Sequence, residues 1–178
     1  MQIPSDTLAR FLRDLDLLSD LRDSDIERLL PHLDLVRASA GQGVFAEGAT
    51  GSALYIVLDG SVSIQRDTPA GPPHELALLE AGECFGEMAL LDGAPRMATA
   101  AVVGDTLLAR LSREAFDALI DQQPDLGARL LRSMSRVLCE RQRALTAALQ
   151  DIVEFDSVPD SAASAALHQA VLRHVTWN

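Results

Sequence analysis

The sequence predicts a mainly β, α+β domain, with helices before and after a block of short strands. Three observations predict it. Between Leu35 and Leu111 the apolar residues fall in short runs separated by Gly, Pro, Asp and Ser, the texture of a sandwich or barrel. On either side of that block the apolar spacing changes to three and four, the period of an amphipathic helix. With 178 residues and 48% of them hydrophobic, the chain is long and apolar enough to bury a proper core.

The elements follow in order. Residues 5–18 read as one amphipathic helix, with Leu8, Phe11, Leu12, Leu15 and Leu18 on a common face. Ser24 or Asp25 caps a second helix whose apolar face is Ile26, Leu29, Leu30 and Leu33, and Pro31 ends or distorts it. Residues 1–34 thus form an N-terminal helical segment. In the strand block, 35–111, Leu33–Arg37 alternates, Val44–Phe45 follows a glycine turn, and Ala53–Leu58 is strongly β-prone. Asp59-Gly60 joins that run to the alternating Ser61–Gln65, which predicts a hairpin. An exposed loop spans Asp67–His74, and Glu75–Leu79, Ala98–Val103 and Thr106–Leu111 complete the strands. Ser112 is an N-cap for a short helix to about Gln122. After Gln123-Pro124 a long helix runs from Asp125 to about Ile152, so that 112–152 is helical. Leu131, Leu138, Leu145 and Ile152 repeat every seven residues, with Met134, Arg141 and Ala148 between them. That seam fits packing on the chain's own barrel and pairing with a second copy equally well. Residues 153–178 read as a linker and a short Ala-rich tail helix, Ala162–Val175.

Composition excludes several classes. A net charge of −11 argues against nucleic acid as a partner, because phosphodiesters require a basic face. No apolar run approaches the ~20 residues that span a bilayer, and the N-terminus lacks the form of a secretory signal. A cytoplasmic protein with no membrane partner is the expectation. Cys84 and Cys139 have no metal spacing and read as reduced and structural. His32, His74, His168 and His174 are scattered, and no nucleophile elbow, metalloprotease helix or Walker loop is present. The expectation is a protein that is not an enzyme and that holds no metal or cofactor.

The chemistry concentrates in residues 85–99, Phe-Gly-Glu-Met-Ala-Leu-Leu-Asp-Gly-Ala-Pro-Arg-Met-Ala-Thr. Gly86 permits close approach of a ligand or a second backbone. A short helix starting beside it, through Met88 and Ala89, leaves N–H groups without intrahelical partners. Pro95 fixes the corner that presents Arg96, a planar cation suited to phosphate, and Glu87 is an acceptor suited to a sugar hydroxyl. Taken as a pair, Glu87 and Arg96 would also fit an ordinary surface ion pair. Taken as a whole string, the stretch describes a cradle for a sugar phosphate.

This string resembles the phosphate-binding cassette of cyclic nucleotide-binding domains, found in catabolite activator protein, in the regulatory subunits of cAMP-dependent protein kinase and in cyclic-nucleotide-gated channels. The glycine pattern Gly48-x-x-Gly51-x-x-x-Tyr55 with Gly60 also looks like that of the family's β-roll. The resemblance covers about Asp14–Ile152. It implies an eight-stranded antiparallel β-roll, or jelly roll, carrying a cassette helix at 85–99 and a long C-terminal helix. It implies that Glu87 takes the ribose 2′-hydroxyl, that Arg96 pairs with the cyclic phosphate, and that Gly86 and Ala89 offer N–H groups. Phe85, Met88, Pro95, Met97 and Ala98 complete the cassette side of the site. The family's base contacts on the long helix fall on Arg141 and Gln142, where hydroxyl side chains usually stand. Met97 has no hydroxyl to hold guanine, which favours cAMP as ligand, while Arg141 leaves cGMP open. The tail is too short and too poor in Lys and Arg to be the family's DNA-binding winged helix. The resemblance therefore implies a bacterial-type receptor that signals to a protein effector, with a homodimer through the long helix as one arrangement. A ligand-independent scaffold or dimerisation module is the alternative.

Overall fold

In a computed structural model, residues 4–68 and 71–155 are described, with side chains as far as 147. The chain opens with helix α1 (Ser5–Arg13) and a 3-10 turn at Asp16–Leu18, then α2 (Asp23–Leu29) and a second such turn at Leu30–His32. Strands β1 (Leu33–Ala38), β2 (Gly43–Phe45), β3 (Ala53–Asp59), β4 (Val62–Arg66), β5 (His74–Leu79) and β6 (Cys84–Phe85) follow. Helix α3 (Glu87–Asp92) interrupts them before β7 (Thr99–Val102) and β8 (Thr106–Ser112), and α4 (Arg113–Gln122) and α5 (Pro124–Phe155) end the described chain.

The eight strands form two four-stranded antiparallel sheets, ordered β1-β8-β3-β6 and β2-β7-β4-β5. This is the expected β-roll. The first sheet is covered on both faces. Leu54, Ile56, Ala109 and Leu111 face the helices, where they join Leu12, Leu18, Ile26, Leu119 and Leu130. Val57 and Leu108 face the interior of the roll with Val62, Leu79, Phe85, Ala100 and Val102. Burial on both faces is why β3 reads as a continuous apolar run instead of an alternation.

Three local expectations are corrected. The Asp59-Gly60 turn does not close a hairpin: β3 pairs with β6 and β8, β4 pairs with β5 and β7, and the turn carries the chain from one sheet to the other. A two-residue turn reports a reversal, whereas pairing is decided by which sheet buries each strand's faces. The helix expected over 5–18 stops at Arg13, and Leu15 is extended. Leu17 and Leu18 remain buried because the 3-10 turn docks on α5, where Arg136 donates to Asp16 O and Ser133 Oγ accepts from the Asp20 amide. Of the two cysteines only Cys84 is buried; Cys139 is exposed, and both are free thiols.

Ser112 caps α4 as expected, its hydroxyl accepting from the Ala115 amide at 3.1 Å. α2 is entered differently, with Asp25 inside the helix accepting the Arg22 amide at 3.0 Å. Among the described residues no helix is long and apolar enough to cross a membrane. The tail helix expected at 162–175 lies outside the described residues.

Candidate functional site

The site forms where β6 runs into α3. Gly86 stands between them with φ of 80°, a left-handed turn that glycine adopts without steric cost. A Cβ on Gly86 would lie 2.4 Å from Arg96 Nη1 and 3.0 Å from Ala53 O. The close approach that the glycine permits is therefore that of the arginine.

Arg96 is buried, with 5% exposure. Its Nη1 donates to Gly86 O at 2.8 Å and its Nη2 to Ala53 O at 2.7 Å. The guanidinium carbon lies 4.0 Å from the centre of the Phe45 ring, a cation–π contact. Behind it Tyr55 and Phe85 stack, with centroids 5.2 Å apart, and Phe45 tilts against both. Among the described residues Arg96 makes no ion pair, and its buried Nε has no hydrogen-bond partner. Loss of solvent pulls its pKa below the ordinary arginine value, opposed by the fields of Tyr55 and Glu87 and reinforced by Arg113. A desolvated cation facing carbonyls and aromatic rings is an incomplete arrangement, because buried charge is normally compensated.

Glu87 is also buried, at 1% exposure, yet its partner is not Arg96. Arg141, on α5, donates to Glu87 Oε1 at 2.8 Å and to Cys84 O at 2.9 Å. The surface ion pair between Glu87 and Arg96 that the sequence also allowed is thus absent. Beneath this junction, burial pushes the Cys84 thiol up to about 12, with Arg141 working against the rise.

A cavity of about 160 Å3 opens beside these groups. Phe85, Gly86, Glu87, Met88, Ala89, Pro95, Arg96, Met97 and Ala98 all line it, so the structure brings the whole cassette side of the expected site together. Arg141 and Gln142 do not line it. Arg141 reaches the site through Glu87, and Gln142 is exposed on α5. The remaining wall was not anticipated from sequence: Phe45 from β2, Ile64 and Arg66 from β4, Leu76 from β5, Asp92 at the end of α3 and Ala94 beyond it. The alternation Val62-Ile64-Arg66 would have placed Ile64 and Arg66 on one face, but nothing local marks Phe45. Among the described residues no group of acidic, Cys or His side chains is arranged to hold a metal.

This arrangement can bind a small anion at Arg96 and a hydroxyl-bearing ring beside Glu87. Comparison with known proteins agrees. Residues 35–123 match the family model described as cyclic nucleotide-binding domain, and the chain belongs to that family. It is 34% identical over 151 residues to the cyclic AMP receptor protein of Thermus thermophilus, covering 85% of this chain and 68% of that one. It is 31% identical over 154 residues to a CRP-like cAMP-activated global transcriptional regulator of Mycobacterium tuberculosis, covering 86% of this chain but 66% of the relative. Among solved structures, a cyclic nucleotide-binding domain from Methylobacillus flagellatus matches with a TM-score of 0.69 and 27% identity, over 78% of both chains.

Proposed function

We propose that this chain is a non-catalytic cytoplasmic receptor for a cyclic mononucleotide, with cAMP as its principal ligand. The observation that carries the reading is Arg96, a buried cation that, unlike Arg129 and Arg141, has no ion-pair partner among the described residues. A cyclic phosphate supplies the missing charge, and a planar guanidinium suits its two exocyclic oxygens. Arg141 occupies Glu87 Oε1, so Oε2 is the atom assigned to the ribose 2′-hydroxyl. The N–H groups of Gly86 and Ala89 complete the phosphate contacts, and Phe45, Ile64, Leu76 and Phe85 give the ligand an apolar wall.

Two features support cAMP: Met97, beside Arg96, has no hydroxyl for guanine, and the two relatives above are both named for cAMP. One observation favours a second reading, cGMP: Arg66 lines the cavity, and a guanidinium donates well to guanine O6 and N7. Arg141 and Gln142 do not line the cavity in this conformation. Arg141 instead joins the ribose acceptor to α5, so that occupancy of the site biases the helix toward one arrangement and presents it to a protein effector or a second copy. The acidic chain, at −11, is not assigned a nucleic-acid partner. Equilibrium titration with cAMP and cGMP tests the reading. Micromolar or tighter binding of cAMP is expected, and its ratio to cGMP decides the base. Absence of binding to either by folded, nucleotide-free protein refutes the receptor.

A further inference from the structure

Arg113, the first residue of α4, makes contacts that the ligand site itself does not require. Its Nη2 donates to Ala89 O, inside the cassette helix, and lies 3.4 Å from Gly51 O in the loop before β3. Its backbone N–H donates to Ser52 O at 2.8 Å. One residue thus touches three elements: the 48–52 loop, the cassette helix α3 and the start of α4.

The surfaces it joins are already in tight contact. A Cβ on Gly51 would stand 2.1 Å from the Ala89 Cβ, so the loop lies against α3 at a distance only glycine allows. The same loop braces the anion-binding arginine, because Gly48 N donates to Arg96 O at 2.8 Å and Arg96 N to Ala49 O at 2.9 Å. Ala89 O lies near the C-terminal end of α3 and already accepts the Gly93 amide at 3.2 Å. A cation beside those carbonyls is favoured by the helix dipole. Arg113 is also close enough to Arg96 for its charge to act on that guanidinium.

We propose that Arg113 is a positioning residue that clasps the cassette helix and the 48–52 loop to the first turn of α4. Movement of α3 when a ligand engages is thereby passed to α4 directly, by a route separate from the Glu87–Arg141 contact to α5. The ligand-dependent half of this proposal rests on the cyclic-nucleotide reading; the clasp itself does not.

The test compares wild type, Arg113→Met and Arg113→Lys by hydrogen exchange, with and without saturating cAMP. In the nucleotide-free protein, Arg113→Met is expected to speed exchange in 49–52 and 87–92 by about ten-fold, the loss of one charged hydrogen bond, with Arg113→Lys closer to wild type. With cAMP, the wild-type change in protection over 113–122 is expected to vanish in Arg113→Met and return in Arg113→Lys, while cAMP still binds. Equal exchange in wild type and Arg113→Met, free and bound, overturns the proposal. If wild type binds no nucleotide, the receptor reading fails, and the nucleotide-free comparison still decides the clasp. If Arg113→Met does not fold, Arg113→Lys against Arg113→Gln carries the same comparison.

Discussion

Two buried charge sites in this molecule are built on opposite plans. Where α2 meets α5, Asp25 is buried at 1% exposure and takes Arg129 at 2.8 Å through both oxygens, while Arg28 bonds Asp125 through two nitrogens at 2.9 Å. Every charge there has an opposite charge beside it. At the cassette, Arg96 is also buried, bonds two carbonyls, lies over a ring and makes no ion pair among the described residues. The first site is electrically closed and holds the N-terminal helices to the C-terminal ones. The second is open: it has no ion-paired counter-charge among the described residues, which is the gap the proposed anion would fill. The lesson is that burial of a charge does not itself separate structure from function; the presence or absence of a counter-charge does.

Breaking the closed site should cost folding. Asp25→Ala leaves Arg129 with Asp125 alone and removes the acceptor of the Arg22 amide, so urea unfolding should show a loss of about 3 kcal/mol. Nucleotide affinity of the folded variant should be unchanged. Weakening the carboxylate that links cassette and α5 should cost binding instead. Glu87→Gln keeps the shape but loses the charge that Arg141 meets, and titration should show about a ten-fold fall in cAMP affinity.

Acid should weaken the closed site. Burial raises the Asp25 pKa, but the hydrogen bond from Arg129, the Arg22 amide and the charges of Arg129 and Arg28 bring it below 3.8. Asp125 is held lower still, chiefly by its hydrogen bond from Arg28. Both pKa values are depressed on folding. Their stabilisation is therefore complete above about pH 4 and is lost as pH falls through the folded values. Melting temperature measured from pH 5 to pH 3 should fall, and less steeply in Asp25→Asn. The smallest effect concerns the thiols. Cys139 is exposed and should label within minutes, whereas Cys84, pushed up to about 12, should label only on unfolding.

Much of the roll and the cassette was legible in the sequence because their signals are local. Gly86, Glu87, Pro95 and Arg96 lie within eleven residues of one another, and each has a conformational or chemical reason to stand where it does. Strand positions were legible for the same reason, through alternation and turn residues. Partnership was not. Glu87 and Arg141 are 54 residues apart, and Asp25 and Arg129 are 104 apart. Which carboxylate meets which arginine is fixed only when the helices dock. Phe45 shows the limit well. The chain has five Phe, one Tyr and one Trp, and three of these gather behind Arg96, yet no local pattern says so. Arg141 shows it again: a seam position on a helix did not reveal that its side chain turns to Glu87 and Cys84 rather than toward the cavity.

The contrast between open and closed sites meets its most direct test in the thermal melting of wild type and Arg96→Ala, each without nucleotide and with cAMP at about 100 times the wild-type Kd. Removing an uncompensated buried cation should leave the nucleotide-free variant at least as stable as wild type. Ligand should then raise the wild-type midpoint by about 5–10 °C and leave the variant unmoved. Equal stabilisation of both proteins by cAMP would contradict the account, since Arg96 would then not be the charge that the ligand completes.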